Sequence, residues 1–424
     1  MKFLIDNRIV LSRAPEGPLA TSIEPFAKSM REQGYARYSL HRQVLLAACF
    51  SEWLRQRGVA LRGITSDHLQ QYLRYRARQV RLCQGDTAAL QHLLDFLRRE
   101  RLIPTETVPA RPLTSAERCA QAYEQHLRDA RGLAAATVIN YVPFIRTFLK
   151  DRFGSGPVVL SNLCARDVVG FVQRQAPHLH PKRAKLLTSA LRSFLQYERY
   201  RGKVKLDLAA AVPSVANWSM SSIPRAIGAD QVRQLLASLD RSTAGGHRDY
   251  AILLLLARLG LRSGEVASLE LGEIDWKAGR LSVRGKSGQP NELPLPTEVG
   301  KAVASYLRQG RPRCSSRRVF LRARAPVRGF RGASGVGSIV RHRLQRAGVD
   351  APTHGAHQFR HGLATEMLRQ GASLGEIGEL LGTTQVIRGA HVLGHHSPET
   401  TKIYTKVDLD ALRTLALPWP GGVR

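Results

Sequence analysis

The side chains best suited to chemistry lie in the stretch LGHHSPETTKIYTKVD, residues 393–408. Two adjacent histidines, of which His395 is the first, precede a Ser-Pro-Glu-Thr-Thr segment, and Tyr404 follows it. Because a serine followed by Pro398 is typical of a helix start, the pattern predicts a short helix with Tyr404 about two turns from its beginning. A tyrosine on its own would usually be a packed side chain. Its role therefore depends on the other groups that the chain supplies.

Three further groups precede this stretch in order along the chain. They are GLRSGE at residues 260–265, a predicted hairpin with Lys286 at its turn, and HQFRH at residues 357–361. The resulting order of Arg, Lys, His-x-x-Arg, His and Tyr resembles that of the tyrosine recombinase, or phage integrase, family. The resemblance covers residues 222–410 closely, and residues 113–203 more loosely as the helical core-binding domain of that family.

The residues to which the resemblance assigns catalysis are Tyr404, Arg262, Arg360, Lys286, His357 and His395. Breaking a DNA phosphodiester bond without metal or water requires a nucleophile, neutralisation of charge and an acid for the leaving oxygen. The resemblance implies that the tyrosine becomes joined to the 3′ phosphate while the two arginines hold the non-bridging oxygens. The lysine would protonate the leaving 5′ oxygen, and the histidines would donate hydrogen bonds or shuttle protons. Glu265 is expected to orient this site rather than to react.

The charge balance of the chain points to the same kind of partner. It carries 64 Lys and Arg against 33 Asp and Glu, for a formal net charge of +31, and only a dozen of the cations are lysine. The planar arginine fork binds phosphate in a bidentate way, so the surplus favours a nucleic-acid partner, which the resemblance implies to be double-stranded DNA. A GC-rich genome also raises the arginine content, but it does not explain the shortage of acids.

Other features predict a cytoplasmic protein without membrane partner, cofactor or metal. The five cysteines are widely spaced and form no CxxC pair, so neither disulfides nor a zinc ribbon are expected. The longest apolar run, at residues 251–256, is too short for a membrane span, and Asp6 and Arg8 interrupt any signal peptide. The glycine-rich run at residues 332–337 lacks the Gly-Lys-Ser/Thr of a nucleotide-binding loop.

Hydrophobic periodicity predicts a mainly α protein with a small antiparallel β-sheet. The resemblance implies that the sheet belongs to an α+β catalytic domain and that the helices before it form helical DNA-binding modules. The predicted divisions are an extra helical module at 1–110, a core-binding (SAM-like) domain at 113–203, a linker at 204–224, the catalytic domain at 225–415 and a tail at 416–424. Helix patterns recur at an offset near a hundred residues, which indicates two copies of one module. The alternative is that any two amphipathic helix triplets look alike.

Several local predictions accompany this division. Residues 1–35, which contain Pro25 and three earlier prolines or glycines, are predicted to be irregular. Asp230 is predicted to cap the first helix of the catalytic domain. Alternation of Leu281 and Val283 with Leu293 predicts the hairpin around Lys286. Residues 310–337 are predicted to form an Arg- and Gly-rich loop.

The chain departs from the family pattern in one serious respect. Members usually run from an E-L-L-G helix end directly into the histidine before the tyrosine, whereas here residues 383–394 intervene between Gly382 and His395. If this insert loops out, the histidine and Tyr404 keep their places; otherwise the tyrosine helix is displaced. A smaller departure is the QPNE segment after Lys286, where relatives often carry more basic residues.

The resulting interpretation is a site-specific recombinase of a mobile element, which acts as a tetramer on DNA and pairs with partner recombinases. Two alternatives stay open. One is a type IB topoisomerase-like nicking-closing enzyme, although the helical module upstream argues against it. The other is a catalytically impaired DNA-binding relative, in which the insert has disabled the site.

Overall fold

The computed structural model describes residues 3–5, 9–11, 13–105, 112–215, 226–285 and 290–381. These residues form two compact units. One unit contains the described residues up to Thr105 together with those from Ala226 onward, and the other contains those in between. Every helix within the described ranges is too short or too polar to span a bilayer.

The N-terminal part of the first unit is a small helical module with its own hydrophobic core. Its elements are strands β1 (Phe3–Ile5) and β2 (Ile9–Leu11) and helices α1 (Ala20–Glu32), α2 (Arg37–Gln56), α3 (Ser66–Ala77) and α4 (Asp86–Arg99). The prediction that residues 1–35 are irregular is wrong, because α1 is a regular helix that contains Pro25. Ile23, Phe26, Ala27 and Met30 are buried at helical spacing on one face of α1, and this burial outweighs the proline.

The second unit is also a four-helix module around a separate core. Its helices are α5 (Ser115–Asp129), α6 (Ala135–Phe153), α7 (Ala165–Gln175) and α8 (Pro181–Tyr200). The core does not end with α8, since Val204, Leu208 and Val212 are buried in it. It therefore extends past residue 203, where the sequence patterns suggested the start of a linker.

The two modules share one internal plan. Both have a 3-10 turn between their second and third helices, at Leu61–Gly63 and at Leu160–Asn162. The residues that cap α3 and α7 have the same backbone angles, φ −125° and ψ 167°. Matching positions are buried in α2 and α6, and again in α3 and α7: Leu40 and Val138, Val44 and Val142, Phe50 and Phe148, Leu69 and Val168, Tyr72 and Phe171. Chance similarity of amphipathic helices does not account for a shared turn, a shared cap and shared core positions.

The remainder of the first unit surrounds a larger core that continues to Phe359. Its elements are α9 (Ala229–Ala237), α10 (Ala244–Arg258), α11 (Ser263–Ser268), β3 (Ile274–Asp275), β4 (Arg280–Arg284), β5 (Pro290–Pro294), α12 (Thr297–Ser305), α13 (Ala333–Arg346), α14 (His357–Arg369) and α15 (Leu374–Leu380). The three strands form one antiparallel sheet in the order β3-β4-β5, with Leu281 opposite Leu293. A mainly helical chain with a small antiparallel sheet confirms the predicted fold class.

Two local predictions in this region need correction. Helix α9 begins after Gly228, whose N–H donates to Gln231 Oε1 at 3.0 Å, so Asp230 lies inside the first turn and is not the cap. Helix α13 begins at Ala333, so the predicted loop ends before residue 337. The first turns of both helices lead directly to buried residues, Leu235 in α9 and Val336 in α13.

Helix α10 is the centre of this core. Six consecutive residues from Ala251 to Leu256 are fully buried, which only a helix packed on all sides can achieve. A charged network fixes its first turns: Asp249 accepts from Arg248 Nε at 2.8 Å and from Arg343 Nε at 2.6 Å. Because all three side chains are largely buried, the network holds α13 against α10 in one register.

Candidate active site

The first site arginine, Arg262, lies at the start of α11. Its own N–H donates to Glu265 Oε2 at 2.7 Å, and its Nη1 donates to Glu265 Oε1 at 2.7 Å. One carboxylate thus caps the helix and holds the guanidinium, a charge-assisted arrangement that fixes both groups. The side chain of Glu265 is 7% exposed and that of Arg262 is 31% exposed, so the arginine faces solvent from a buried anchor.

The turn before Arg262 depends on a glycine. Gly260 has φ +59°, a left-handed conformation that other residues adopt only with strain. A Cβ atom at this position would lie 2.7 Å from Leu381 Cδ2 and 3.1 Å from Leu363 Cδ2. Gly260 therefore permits both the turn and the close approach of two side chains, Leu363 on α14 and Leu381 just after α15.

The second site arginine, Arg360, is buried on α14 with 3% exposure. Its Nη1 donates to the carbonyl oxygen of Gly260 at 2.9 Å, and its Nη2 donates to the carbonyl oxygen of Leu381. Because a guanidinium is planar, two bonds to the main chain fix the orientation of its plane. These bonds tie α14 to the turn in front of Arg262 and to the end of α15.

Two histidines flank Arg360 on the same helix. The rings of His357 and His361 have centroids 5.2 Å apart. Burial, followed by the charges of Arg360 and Arg262, lowers the pKa of His357, and the carboxylate of Glu265 opposes this effect. Burial, followed by the proximity of His357 and Arg360, lowers the pKa of His361 to about 4. Both imidazoles are therefore neutral at pH 7, and each can accept a proton or donate a hydrogen bond.

The predicted site residues that fall in the described ranges lie in one place. The charges of Arg262, Glu265 and Arg360 all act on His357, and the backbone of Gly260 joins the two arginines. Lys286, His395, Tyr404 and the insert at residues 383–394 lie outside the described residues. The spacing of the motifs did not identify the carbonyl groups of Gly260 and Leu381 as partners of Arg360. The glycine two residues before Arg262 was the one signal in the sequence that could have indicated a special turn there.

Two arginines beside a histidine, in a mainly helical domain with a small antiparallel sheet, form a grouping suited to an oxyanion such as the phosphate that a DNA strand-transfer enzyme handles. The known proteins that the chain resembles agree with this class. A sequence model described as the Phage integrase family matches residues 225–410.

Among curated proteins, the chain is 58% identical to y4rA of Sinorhizobium fredii, whose name describes an integrase/recombinase, over 421 residues that cover 99% of each chain. It is 30% identical over 320 residues to the tyrosine recombinase XerD of Mycobacterium tuberculosis, covering 71% of this chain and 96% of XerD. The chain therefore belongs to the phage integrase family of tyrosine recombinases, which confirms the resemblance seen in its sequence. It is a site-specific recombinase by family.

Solved structures support the fold. The XerH site-specific recombinase bound to a palindromic difH substrate, in a post-cleavage complex, aligns with a TM-score of 0.54 at 18% identity, covering 71% of this chain and 84% of XerH. A lambda integrase dimer bound to a COC′ core site aligns with a TM-score of 0.51 at 17% identity, covering 69% of this chain and 95% of that one.

Proposed function

We propose that this recombinase cuts and rejoins specific duplex DNA sites through a covalent 3′-phosphotyrosine at Tyr404. The observation that carries the proposal is the grouping of Arg262, Arg360 and the anchored carboxylate of Glu265 around His357. Two guanidinium groups fixed beside a neutral imidazole suit a phosphoryl group whose negative charge increases in the transition state. The family match extends to residue 410 and so includes Lys286, His395 and Tyr404.

In the proposed reaction, the phenol oxygen of Tyr404 attacks the scissile phosphorus as its proton passes to a nearby base. The bond from phosphorus to the 5′ oxygen breaks, and Lys286 gives a proton to that oxygen. Arg262 and Arg360 hold the two non-bridging oxygens, and His357 and His395 donate hydrogen bonds or move protons. The ester energy is retained in the phosphotyrosine, so a second 5′ hydroxyl can reverse the step without a nucleotide cofactor.

The assembly that we propose follows the family. The four-helix module of residues 113–203, extended by the buried residues up to Val212, would serve as the core-binding domain. Residues 225–415 would form the catalytic domain, and 416–424 a tail. We propose a tetramer on DNA, with related recombinases as partners and a mobile element in the cytoplasm as the setting. The name of y4rA, an integrase/recombinase, supports the part of this proposal that concerns DNA recombination.

Replacement of the leaving oxygen by sulfur tests the role of Lys286. A thiolate leaves without protonation, because the pKa of a thiol is about 8.5, far below that of an alcohol. On a duplex isolated by selection from randomised DNA, Lys286→Ala should form little covalent adduct with the oxygen ester and recover with the 5′-bridging phosphorothiolate. Arg360→Ala should fail on both substrates.

Lys277→Ala is the matched control, because Lys277 is an exposed lysine in the turn between β3 and β4. It should behave like the wild type on both substrates. Equal failure of Lys286→Ala on both substrates would remove the acid role. Relaxation of supercoiled DNA without strand exchange would instead favour the topoisomerase-like alternative.

A further inference from the structure

The N-terminal module has a basic cavity that the proposed catalytic chemistry does not use. It lies where α4 ends, has a volume of about 410 Å³, and is lined by Arg62, Arg98, Arg101 and the segment from Leu102 to Thr105. No carboxylate lines it among the described residues. Arg62 and Arg101 are exposed, whereas Arg98 is held by Ser66 Oγ at 2.9 Å and by Asp95 Oδ1 at 3.7 Å.

Arg101 adopts a backbone conformation that suggests a function. It has φ +57°, and it is the one non-glycine with positive φ among the described residues. Side chains other than glycine and asparagine are disfavoured there, so the position stores strain. Strained residues persist where the surrounding structure and a function require them, which makes an observed outlier a reason to look for a ligand.

The second module shows what this position would ordinarily contain. Gly202 lies two residues after the end of α8 and has φ +70°, and its N–H donates to the carbonyl oxygen of Arg199 at 2.9 Å. Helix α4 ends in the same way: Arg101 N–H donates to the carbonyl oxygen of Arg98 at 3.0 Å. The N–H of the following residue also has the same kind of partner in the two modules. Leu102 N–H donates to the carbonyl oxygen of Leu97, and Lys203 N–H donates to the carbonyl oxygen of Glu198. One module therefore uses glycine at this helix end, and the other uses arginine at the edge of a basic cavity.

We infer that this cavity binds a phosphate of the DNA backbone, so that the N-terminal module is a second DNA-binding module of the same chain. Guanidinium groups on its walls match phosphate in charge and in geometry. The inference rests on the proposal that the chain acts on duplex DNA, but it does not depend on cleavage. A carboxylate-rich surface of a partner protein is the competing occupant. The large positive charge of the whole chain, +31, favours the nucleic acid.

Arg101→Gly separates binding from folding, because glycine relieves the strained conformation while it removes the guanidinium. The full chain is titrated with a fluorescein-labelled duplex of about 60 base pairs, in potassium chloride from about 50 to 200 mM. The plot of log affinity against log salt concentration has a negative slope, and loss of one phosphate contact should make that slope shallower by about 1. The thermal midpoint of unfolding should stay the same or rise. Arg62→Gln, on another part of the cavity wall, should also make the slope shallower by about 1.

Arg99→Gln is the control that removes the same charge two residues away. Arg99 contacts the Phe96 ring and Ser29 Oγ and does not line the cavity. The salt dependence of DNA binding by Arg99→Gln should therefore equal that of the wild type. Equal slopes for Arg101→Gly and the wild type, or an equal decrease in Arg99→Gln, would overturn the inference. A change in self-association with unchanged DNA binding would also overturn it, in favour of a protein partner. If the wild type fails to bind duplex DNA, the proposed function fails together with this inference.

Discussion

Arg360 Nη1 donates to the carbonyl oxygen of Gly260 at 2.9 Å, which joins the helix of one site arginine to the turn that precedes the other. The two residues are a hundred positions apart in the sequence. The relative position of Arg262 and Arg360 is therefore set by a backbone contact, in addition to the packing of α10 and α14.

Gly260→Ala should destabilise the protein by about 2 to 4 kcal/mol, since strain at positive φ adds to the clash with Leu381 and Leu363. Urea unfolding measures this loss. Gly279→Ala is the control, because Gly279 has φ +62° and open space around it, so only about 1 kcal/mol is expected. Equal losses in the two variants would show that the close approach at Gly260 is unimportant.

Glu265→Gln should slow covalent adduct formation by about 10-fold with little change in DNA affinity, because a neutral amide holds Arg262 less firmly. The measurement is the rate of adduct formation at saturating DNA. Glu273→Gln is the control: Glu273 likewise accepts an N–H, from Glu270 at 2.8 Å, but its ion pair is with Arg284. A normal rate for Glu265→Gln would mean that the carboxylate only caps α11.

Asp249→Asn should destabilise the protein by about 3 to 5 kcal/mol, because it leaves Arg248 and Arg343 without their buried counter-charge. The matched control is Asp230→Asn. The side chain of Asp230 is 88% exposed and pairs with Arg233, so a change of less than about 1 kcal/mol is expected. Chemical unfolding of both variants tests this difference, and similar losses would argue against the network as the link between α10 and α13.

Stability should fall between pH 7 and pH 5 through His361. Its pKa is about 4 in the folded chain, below the ordinary value of 6.5, so the unfolded state takes up the proton first as the pH falls. The contribution of His361 to the free energy of unfolding is fully present above pH 6.5 and is lost as the pH falls toward 4. At pH 5 the loss should be about 1 to 2 kcal/mol. Unfolding of His361→Gln should show a flatter pH dependence. His178→Gln, at an exposed histidine, should retain the wild-type dependence.

Residue patterns predicted the regular parts of the fold well. Helical spacing located α2, α3 and α10, and strand alternation located the pairing of Leu281 with Leu293, because burial of one face leaves a periodic trace in the sequence. They failed where local signals competed with packing. Pro25 suggested irregular structure, yet the burial of Phe26 and its neighbours keeps α1 helical.

The order of the motifs supplied the candidate site residues, but the geometry of the site could not be predicted in the same way. No periodicity connects Gly260 with Arg360 or indicates that the carbonyl oxygen of Leu381 also accepts from that guanidinium. Such contacts depend on the packing of three elements that are distant in the chain. The low pKa of His361 also arises from this packing, which buries the ring beside Arg360 and His357.

The most direct test of the central claim is covalent capture of DNA followed by mapping of the attached residue. Wild-type protein is incubated with duplexes of randomised sequence that carry a 5′-bridging phosphorothiolate, and the adduct is isolated under denaturing conditions and digested. We expect a nucleotide attached through its 3′ phosphate to the peptide that contains Tyr404, and no adduct from Tyr404→Phe. Attachment to another residue, or an equal yield from Tyr404→Phe, would contradict the proposed chemistry.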